Sequence, residues 1–236
     1  MSFKKNSLVI GLAAAAASVT PVPAALAQSA GLEEVVVTAR KRVENLQDVP
    51  IAISAFDETA IERAGIERAS DSISLVPNVT IVDTANVGDT QVSIRGIVST
   101  RDAESTFAYV VDGILSTNPN SFNEELFDVQ SIEVLKGPQG ALYGRNAIGG
   151  AILVSTRAPA AESEYGLRVS AAQGQDFVVA GSASGPVGDG DTLYRASVRL
   201  QDREGQLKNA YLDNQYVDYK ESLAFRGRLL FKPGSK

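Results

Sequence analysis

The chain has 236 residues, 44% of them apolar and 21% charged, with a formal net charge of −6, a composition ordinary for a folded protein. Cysteine and histidine are both absent, which removes disulfides, thiolate chemistry, and the commonest general base and metal ligand. The acidic balance speaks against a nucleic-acid partner, because phosphate binding needs a basic surface that displaces counterions.

Lys4 and Lys5 precede an apolar run from Leu8 to Ala17, followed by Pro21, Pro23 and Ala25-Leu26-Ala27. A charged start, an apolar core too short to span a bilayer and a small-x-small end predict an export signal over residues 1–27, cut before Gln28. Cutting there removes Lys4 and Lys5 and takes the net charge from −6 to −8. Residues 28–49 then form a polar segment containing Glu33-Glu34-Val35-Val36-Val37-Thr38-Ala39. Three valines and a threonine favour an extended backbone, and the flanks offer no obvious local strand. Such a stretch suits strand addition to a partner's sheet; the alternative is an edge strand of the following domain.

Pro50 leads a strand over Ile51–Phe56. Asp57 caps a helix that runs to Ala64 and stops at Gly65. A second short helix covers Asp71–Leu75 and ends at Pro77. Short strands follow at Val79–Val82, Gln91–Arg95 and Ala108–Val111, with Gly96 and Asp112-Gly113 as turn signals. Ser121 and Glu124 have capping-box spacing, which predicts a short helix leading into a strand at Ile132. That strand, Ser131–Lys136, and the apolar run Gly150–Thr156 flank a loop with five glycines and Pro138 between Gly137 and Gly150, where tight turns with positive φ are expected. The sum is an α+β domain with a small mixed sheet and short helices.

The loop has no lysine-serine or lysine-threonine in P-loop position and no dinucleotide spacing, so it is not a phosphate cradle. The acids Asp112, Glu124, Glu125 and Asp128 match no calcium loop and are read as solvated turn and helix-start residues rather than a cation or glycosidase site. No serine stands in a nucleophile-elbow context, so nothing favours an enzyme. No cofactor is expected.

From Tyr165 the pattern becomes alternating. Tyr165, Leu167, Val169 and Ala171 share one strand face, and Tyr194, Ala196, Val198 and Leu200 alternate with Arg195, Ser197, Arg199, Gln201 and Arg203. Leu223, Phe225, Leu229 and Phe231 alternate with Arg226 and Arg228. Four antiparallel strands in two hairpins are predicted, with turns near Gly174 and Gly188–Asp191 and a longer loop over 205–219 placed outside. A soluble sandwich would also alternate, but three arginines on the polar face suit the wet lumen of a membrane barrel, with the aromatic ends at lipid interfaces.

Six short motifs in order, Pro50, Val76-Pro77-Asn78, Ser93-Ile94-Arg95-Gly96, Val111-Asp112-Gly113, Ile132–Gly144 and Gly149–Thr156, resemble the plug domain of TonB-dependent outer-membrane receptors. The resemblance implies a plug domain over 50–160 inside the lumen of a β-barrel that begins over 161–236. The carried-over plug motif is Gly96, Asp112, Gly113, Glu133, Gly137, Pro138, Leu142, Tyr143, Gly144, Gly149 and Gly150. It makes Glu33–Ala39 a TonB box, bound by the energy-coupling protein TonB, and gives Arg95 and Lys136 the places of the basic pair that locks the plug to wall carboxylates. Lysine at 136 lacks the bidentate geometry of arginine. Outer-membrane lipid and a scarce nutrient are the other implied partners, with ferric siderophore first and oligosaccharide, cobalamin or haem as alternatives. Because plugged barrels close with about 22 strands and open edges are not solvated by lipid, the chain reads as an N-terminal fragment unable to transport by itself. A free periplasmic binding or signalling module is the rival of another class.

Overall fold

The computed structural model describes residues 36–38, 42, 44–83, 90–99, 104–188, 190–211 and 215–232. The expected export signal and Glu33, Glu34, Val35 and Ala39 lie outside the described residues. In chain order the strands are β1 (Val36–Val37), β2 (Glu44–Asn45), β3 (Ala52–Asp57), β4 (Val79–Asp83), β5 (Thr90–Ile94), β6 (Ile97–Val98), β7 (Phe107–Val111), β8 (Ile114–Ser116), β9 (Val129–Lys136), β10 (Gly150–Thr156), β11 (Glu164–Ala172), β12 (Asp176–Val187), β13 (Thr192–Arg203) and β14 (Lys220–Phe231). The α-helices are α1 (Glu58–Ala64), α2 (Ala69–Ile73) and α3 (Gly140–Tyr143).

The helix signals work as read. Asp57 Oδ1 accepts from Ala60 N at 2.7 Å, and Gly65 closes α1 in the left-handed region at φ 64°. The second helix sits two residues earlier than expected, over Ala69–Ile73, because Asp71 Oδ2 accepts from Glu67 N and Arg68 N and fixes its start there. The capping-box expectation at Ser121 and Glu124 is corrected. Residues Pro119–Asn123 form a 3₁₀ turn, with Ser121 inside it and Glu124 N donating to Ser121 O. The turn sets Phe122 into the core, edge-on to Phe107 and Tyr109.

A five-stranded mixed sheet has the order β3-β9-β10-β7-β8, with β10 parallel to β7 and antiparallel to β9. Its central strands are apolar on both faces because both faces are covered. Ile132, Val134, Ile152, Val154, Phe107 and Tyr109 face α2 and the sheet β4-β5-β6; Leu135, Leu153, Val110, Ala108, Ala151 and Ala147 pack on the other side. The hairpins β5–β6 and β7–β8 turn on two-residue loops, Arg95-Gly96 (φ 53° and 82°) and Asp112-Gly113 (φ 48° and 83°). Positive φ at both central residues is the type I′ signature, whose twist matches the flanking strands. In the glycine-rich loop only Gly137 and Gly144 of the five glycines need positive φ. Gly150 is there for space, since a Cβ would lie 2.2 Å from Leu135 O on the neighbouring strand.

β11-β12-β13-β14 form an antiparallel meander in unbroken register, a single four-stranded sheet. Short turns join the first three strands, and the longer 204–219 connection folds back on itself through the Lys208–Tyr216 bridge. No helix among the described residues is long and apolar enough to cross a membrane, which says nothing of strands.

Candidate functional site

The four-stranded sheet buries the wrong face for a water-soluble sandwich. Along β13, Arg195 and Arg199 are 4% and 9% exposed, while their neighbours Val198 and Leu200 are 38% and 48% exposed. β14 repeats the arrangement, with Leu223, Phe225, Leu229 and Phe231 exposed and Arg226 and Arg228 half-buried. Tyr165, Leu167 and Val169 of β11 and Phe177 of β12 extend the exposed apolar surface. An apolar surface this broad is stable against lipid, not water.

The buried polar face rests on the mixed domain rather than on water. Arg195 Nε donates to Asp128 Oδ2 at 2.7 Å, and its Nη2 engages Asp128 Oδ1 to complete a bidentate pair. Arg199 and Lys220 both donate to Glu125, with Arg68 at 3.9 Å. Burial alone would push the Glu125 carboxyl up; hydrogen bonds and charge from Lys220 and Arg199 outweigh it and hold the group below its ordinary value. Arg226 stacks over the Phe127 ring at 4.5 Å and donates to Phe127 O at 2.6 Å. The expected wet lumen is therefore corrected for Arg195 and Arg199, and the solvated reading of Glu125 and Asp128 is corrected with it.

Asp112, at the β7–β8 turn, joins the same contact. Its Oδ1 accepts from Thr156 N at 2.8 Å and its Oδ2 from Thr156 Oγ1 at 2.7 Å. Arg228 of β14 donates to Thr156 Oγ1 at 2.7 Å and to Thr156 O at 2.9 Å, and lies 3.5 Å from Asp112. Glu124 stays exposed. Among the described residues no group of three or more acidic side chains is placed to hold a metal ion.

At the N-terminal end, Val36–Val37 pair antiparallel with Glu44–Asn45. A local partner strand therefore exists where the flanks promised none. Val37 is buried, and Thr38 donates through its backbone N (2.8 Å) and Oγ1 (3.0 Å) to Oε1 of Glu133, which is itself buried in β9.

The TonB-dependent Receptor Plug Domain family matches residues 45–151. The pesticin receptor of Yersinia pestis is 29% identical over 147 residues, covering 62% of this chain and 22% of the relative. The vitamin B12 transporter of Vibrio vulnificus is 33% identical over 179 residues, covering 73% of this chain and 28% of the relative. Among solved structures, the ferric yersiniabactin uptake receptor of Yersinia pestis superposes with a TM-score of 0.68 at 24% identity, covering 78% of this chain and 29% of that one. The chain belongs to the TonB-dependent receptors. It pairs a plug with the start of a barrel wall and spans about a quarter of the length of these relatives. The family is one of outer-membrane receptors of Gram-negative bacteria, not of enzymes.

Within the plug the motif residues are mostly structural. Gly96 and Gly113 complete type I′ turns, and Gly137 (φ 111°) sits beneath the Arg95 guanidinium, 3.1 Å from where a Cβ would stand. Gly149 N donates to Thr106 O, and Gly137 N to Gly149 O, closing the loop that carries Pro138, Leu142 and Gly144. Burial and the nearby Glu133 charge push the Tyr143 phenol up to about 12. Arg95 and Lys136 do not touch the four wall strands: Arg95 is exposed, and Lys136 Nζ donates to Ser54 Oγ at 3.3 Å. The plug–wall ion pairs of the described residues run in the opposite sense, with carboxylates on the plug and cations on the wall. Alternation along β13 and β14 marks Arg195, Arg199, Arg226 and Arg228 as a polar face, but their partners carry no signal in the sequence.

Proposed function

We propose that this chain is the plug and opening wall of an outer-membrane receptor that takes up a scarce nutrient with energy delivered through TonB, the nutrient being a ferric siderophore. The observation that carries the reading is the inverted burial of β13 and β14, with cations turned in against plug carboxylates and apolar side chains turned out. Only a lumen occupied by a plug and surrounded by lipid accommodates both faces.

In this reading residues 1–27 direct export, 28–49 carry the TonB box, 50–160 are the plug and 161–236 begin the wall. TonB pairs with the valine-rich strand of Glu33–Ala39, which requires undoing the β1–β2 pairing and the two Thr38 bonds to Glu133. Arg95 and Lys136 serve as a second lock, to wall carboxylates beyond the four strands. The likeness to the ferric yersiniabactin uptake receptor supports an iron-chelate nutrient; the 33% identity to a vitamin B12 transporter favours cobalamin as the second reading.

The test is growth of a cell whose only such receptor carries this chain, supplied with iron solely as ferric siderophore, or with cobalamin as the sole source of that vitamin, with and without TonB. TonB-dependent growth on ferric siderophore is expected. Growth on cobalamin alone selects the second reading, and growth indifferent to TonB overturns both.

A further inference from the structure

Both feet of the 204–219 connection end on carboxylates turned away from water. Arg203, the last residue of β13, and Lys220, the first of β14, are register partners. Arg203 donates through Nε at 2.8 Å and Nη2 at 2.5 Å to Oδ2 of Asp176, its partner across the ladder on β12. Lys220 reaches to the plug instead and donates to Glu125 Oε1. Between the feet the connection is tied by its own bonds. Asp218 accepts from the backbone N–H groups of Gln206 and Leu207, and Gly205 N donates to Gly174 O in the β11–β12 turn.

Gln201 joins the two pairs. It is 4% exposed; its Nε2 donates to Asp176 Oδ1 at 2.9 Å and its Oε1 accepts from Arg199 Nη1 at 3.2 Å. The same Arg199 nitrogen donates to Glu125 Oε2. A carboxylate only accepts and a guanidinium only donates, so a side chain standing between them must do both. The glutamine amide meets that demand in one orientation. Glutamate would set a second carboxylate against Asp176, and leucine would leave both neighbours short of a bond in a buried place. Asp176 therefore orients Gln201, and Gln201 orients Arg199 toward the plug.

We propose that Gln201 is the positioning residue that makes the wall's hold on Glu125 depend on the 204–219 connection. The inference rests on the receptor reading above and deepens it, naming the side chains that regulate how firmly the plug is seated. Lys220 carries one foot of the connection to Glu125 directly. Arg203 carries the other through Asp176, Gln201 and Arg199. A displacement of the connection thus withdraws support from both wall cations that hold Glu125. The loosening extends into the plug, because Glu125 bridges to Arg68 and Leu126 N donates to Glu67 O at the start of α2. Side chains that share one network respond together, so removing one changes what removing the next can do.

The test is hydrogen exchange at neutral pH in the receptor that carries this chain, read at the 125–129 amides and, as a control away from the network, at the Val92 and Ser93 amides of β5. Arg203→Met is expected to lower protection at 125–129 by about two- to tenfold, and Gln201→Leu by a similar factor. In the Gln201→Leu background Arg203→Met should add nothing. Asp218→Ala, which unties the connection, should lower protection at 125–129 as well. Gln201→Glu should fail like Gln201→Leu, and Gln201→Glu with Asp176→Asn should recover the parent within about twofold, because the swap keeps the net charge and restores a donor between the two acceptors. Effects of Arg203→Met and Gln201→Leu that simply multiply, no change in Asp218→Ala, no recovery in the swap, or an equal fall at β5 overturns the positioning role. Disulfide capture between Thr38→Cys and a cysteine in TonB reads the receptor function separately. Failed capture with coupled exchange removes that function and leaves the network, whereas successful capture with multiplying effects removes the coupling alone.

Discussion

The Arg195 guanidinium of the wall and the Asp128 carboxylate of the plug meet with side chains only 3% and 8% exposed. Neither charge has water to fall back on, so the pair behaves as a unit. Removing one member leaves the other buried and uncompensated, which costs on the order of 3–5 kcal/mol. Asp128 has φ 58°, a region that asparagine tolerates better than alanine, so Asp128→Asn isolates the charge. Asp128→Asn is expected to lower the thermal midpoint of the plug and speed its proteolysis. Adding Arg195→Gln should restore at least half of the loss. A single variant as stable as the parent would show that the pair carries no plug–wall cohesion.

Glu125 makes the same contact sensitive to acid. Its folded pKa lies below its ordinary value of 4.5, so it contributes stability that is present above that value and lost as pH falls through the lowered one. The protection of the 125–129 amides against hydrogen exchange, taken relative to the intrinsic rate at each pH, is expected to fall on acidification below about pH 4.5. Glu125→Gln should weaken the contact at neutral pH by about 2 kcal/mol and flatten the acid limb. An unchanged acid limb in Glu125→Gln would place the titrating group elsewhere.

Two glycines of the same loop should respond oppositely to alanine. At Gly150 a Cβ would stand 2.2 Å from Leu135 O, so Gly150→Ala must push β9 and β10 apart, at a cost of about 1–3 kcal/mol or more. At Gly140, inside α3, nothing lies within 4 Å and φ is not positive. Gly140→Ala should be neutral or stabilising by about 0.5–1 kcal/mol. Thermal unfolding of the two receptors, with the amount reaching the outer membrane as a second readout, separates them.

What the sequence made legible was whatever is decided within a few residues. Asp57 and Gly65 bracket α1, Asp112-Gly113 forms its turn, and alternation finds the strands, because caps, turns and pleats are local. The site was legible as motif and as polar face, but not as contact. Arg195 looked like a lumen residue facing water, and its partner sits 67 residues earlier at Asp128. No periodicity encodes that meeting. Ser121 misled because capping-box spacing is necessary for the motif but does not stop a 3₁₀ turn that buries Phe122. Val36–Val37 misled because a two-residue strand needs only Glu44–Asn45 opposite it, too little to leave a strand signature.

Thr38 and Glu133 should set how readily the N-terminal strand is released. The Glu133 carboxylate accepts both the backbone N–H and the hydroxyl of Thr38, and hydrogen bonds to a charged acceptor in a buried setting are among the stronger ones. Thr38→Ala removes the hydroxyl bond and keeps the backbone one, while Thr38→Ser keeps both. The loss of about 1–2 kcal/mol in Thr38→Ala corresponds to a roughly 5–30-fold rise in the released fraction. Glu133→Gln weakens both bonds at once by removing the charge, and should release at least as much. Exchange of the Val37 amide, protected now by burial and by pairing with Glu44, is the direct readout. Thr38→Ser should exchange like the parent, Thr38→Ala and Glu133→Gln faster. Equal exchange in all four proteins would mean that the β1–β2 pairing alone holds the strand, and that the Glu133 contact follows docking without governing it.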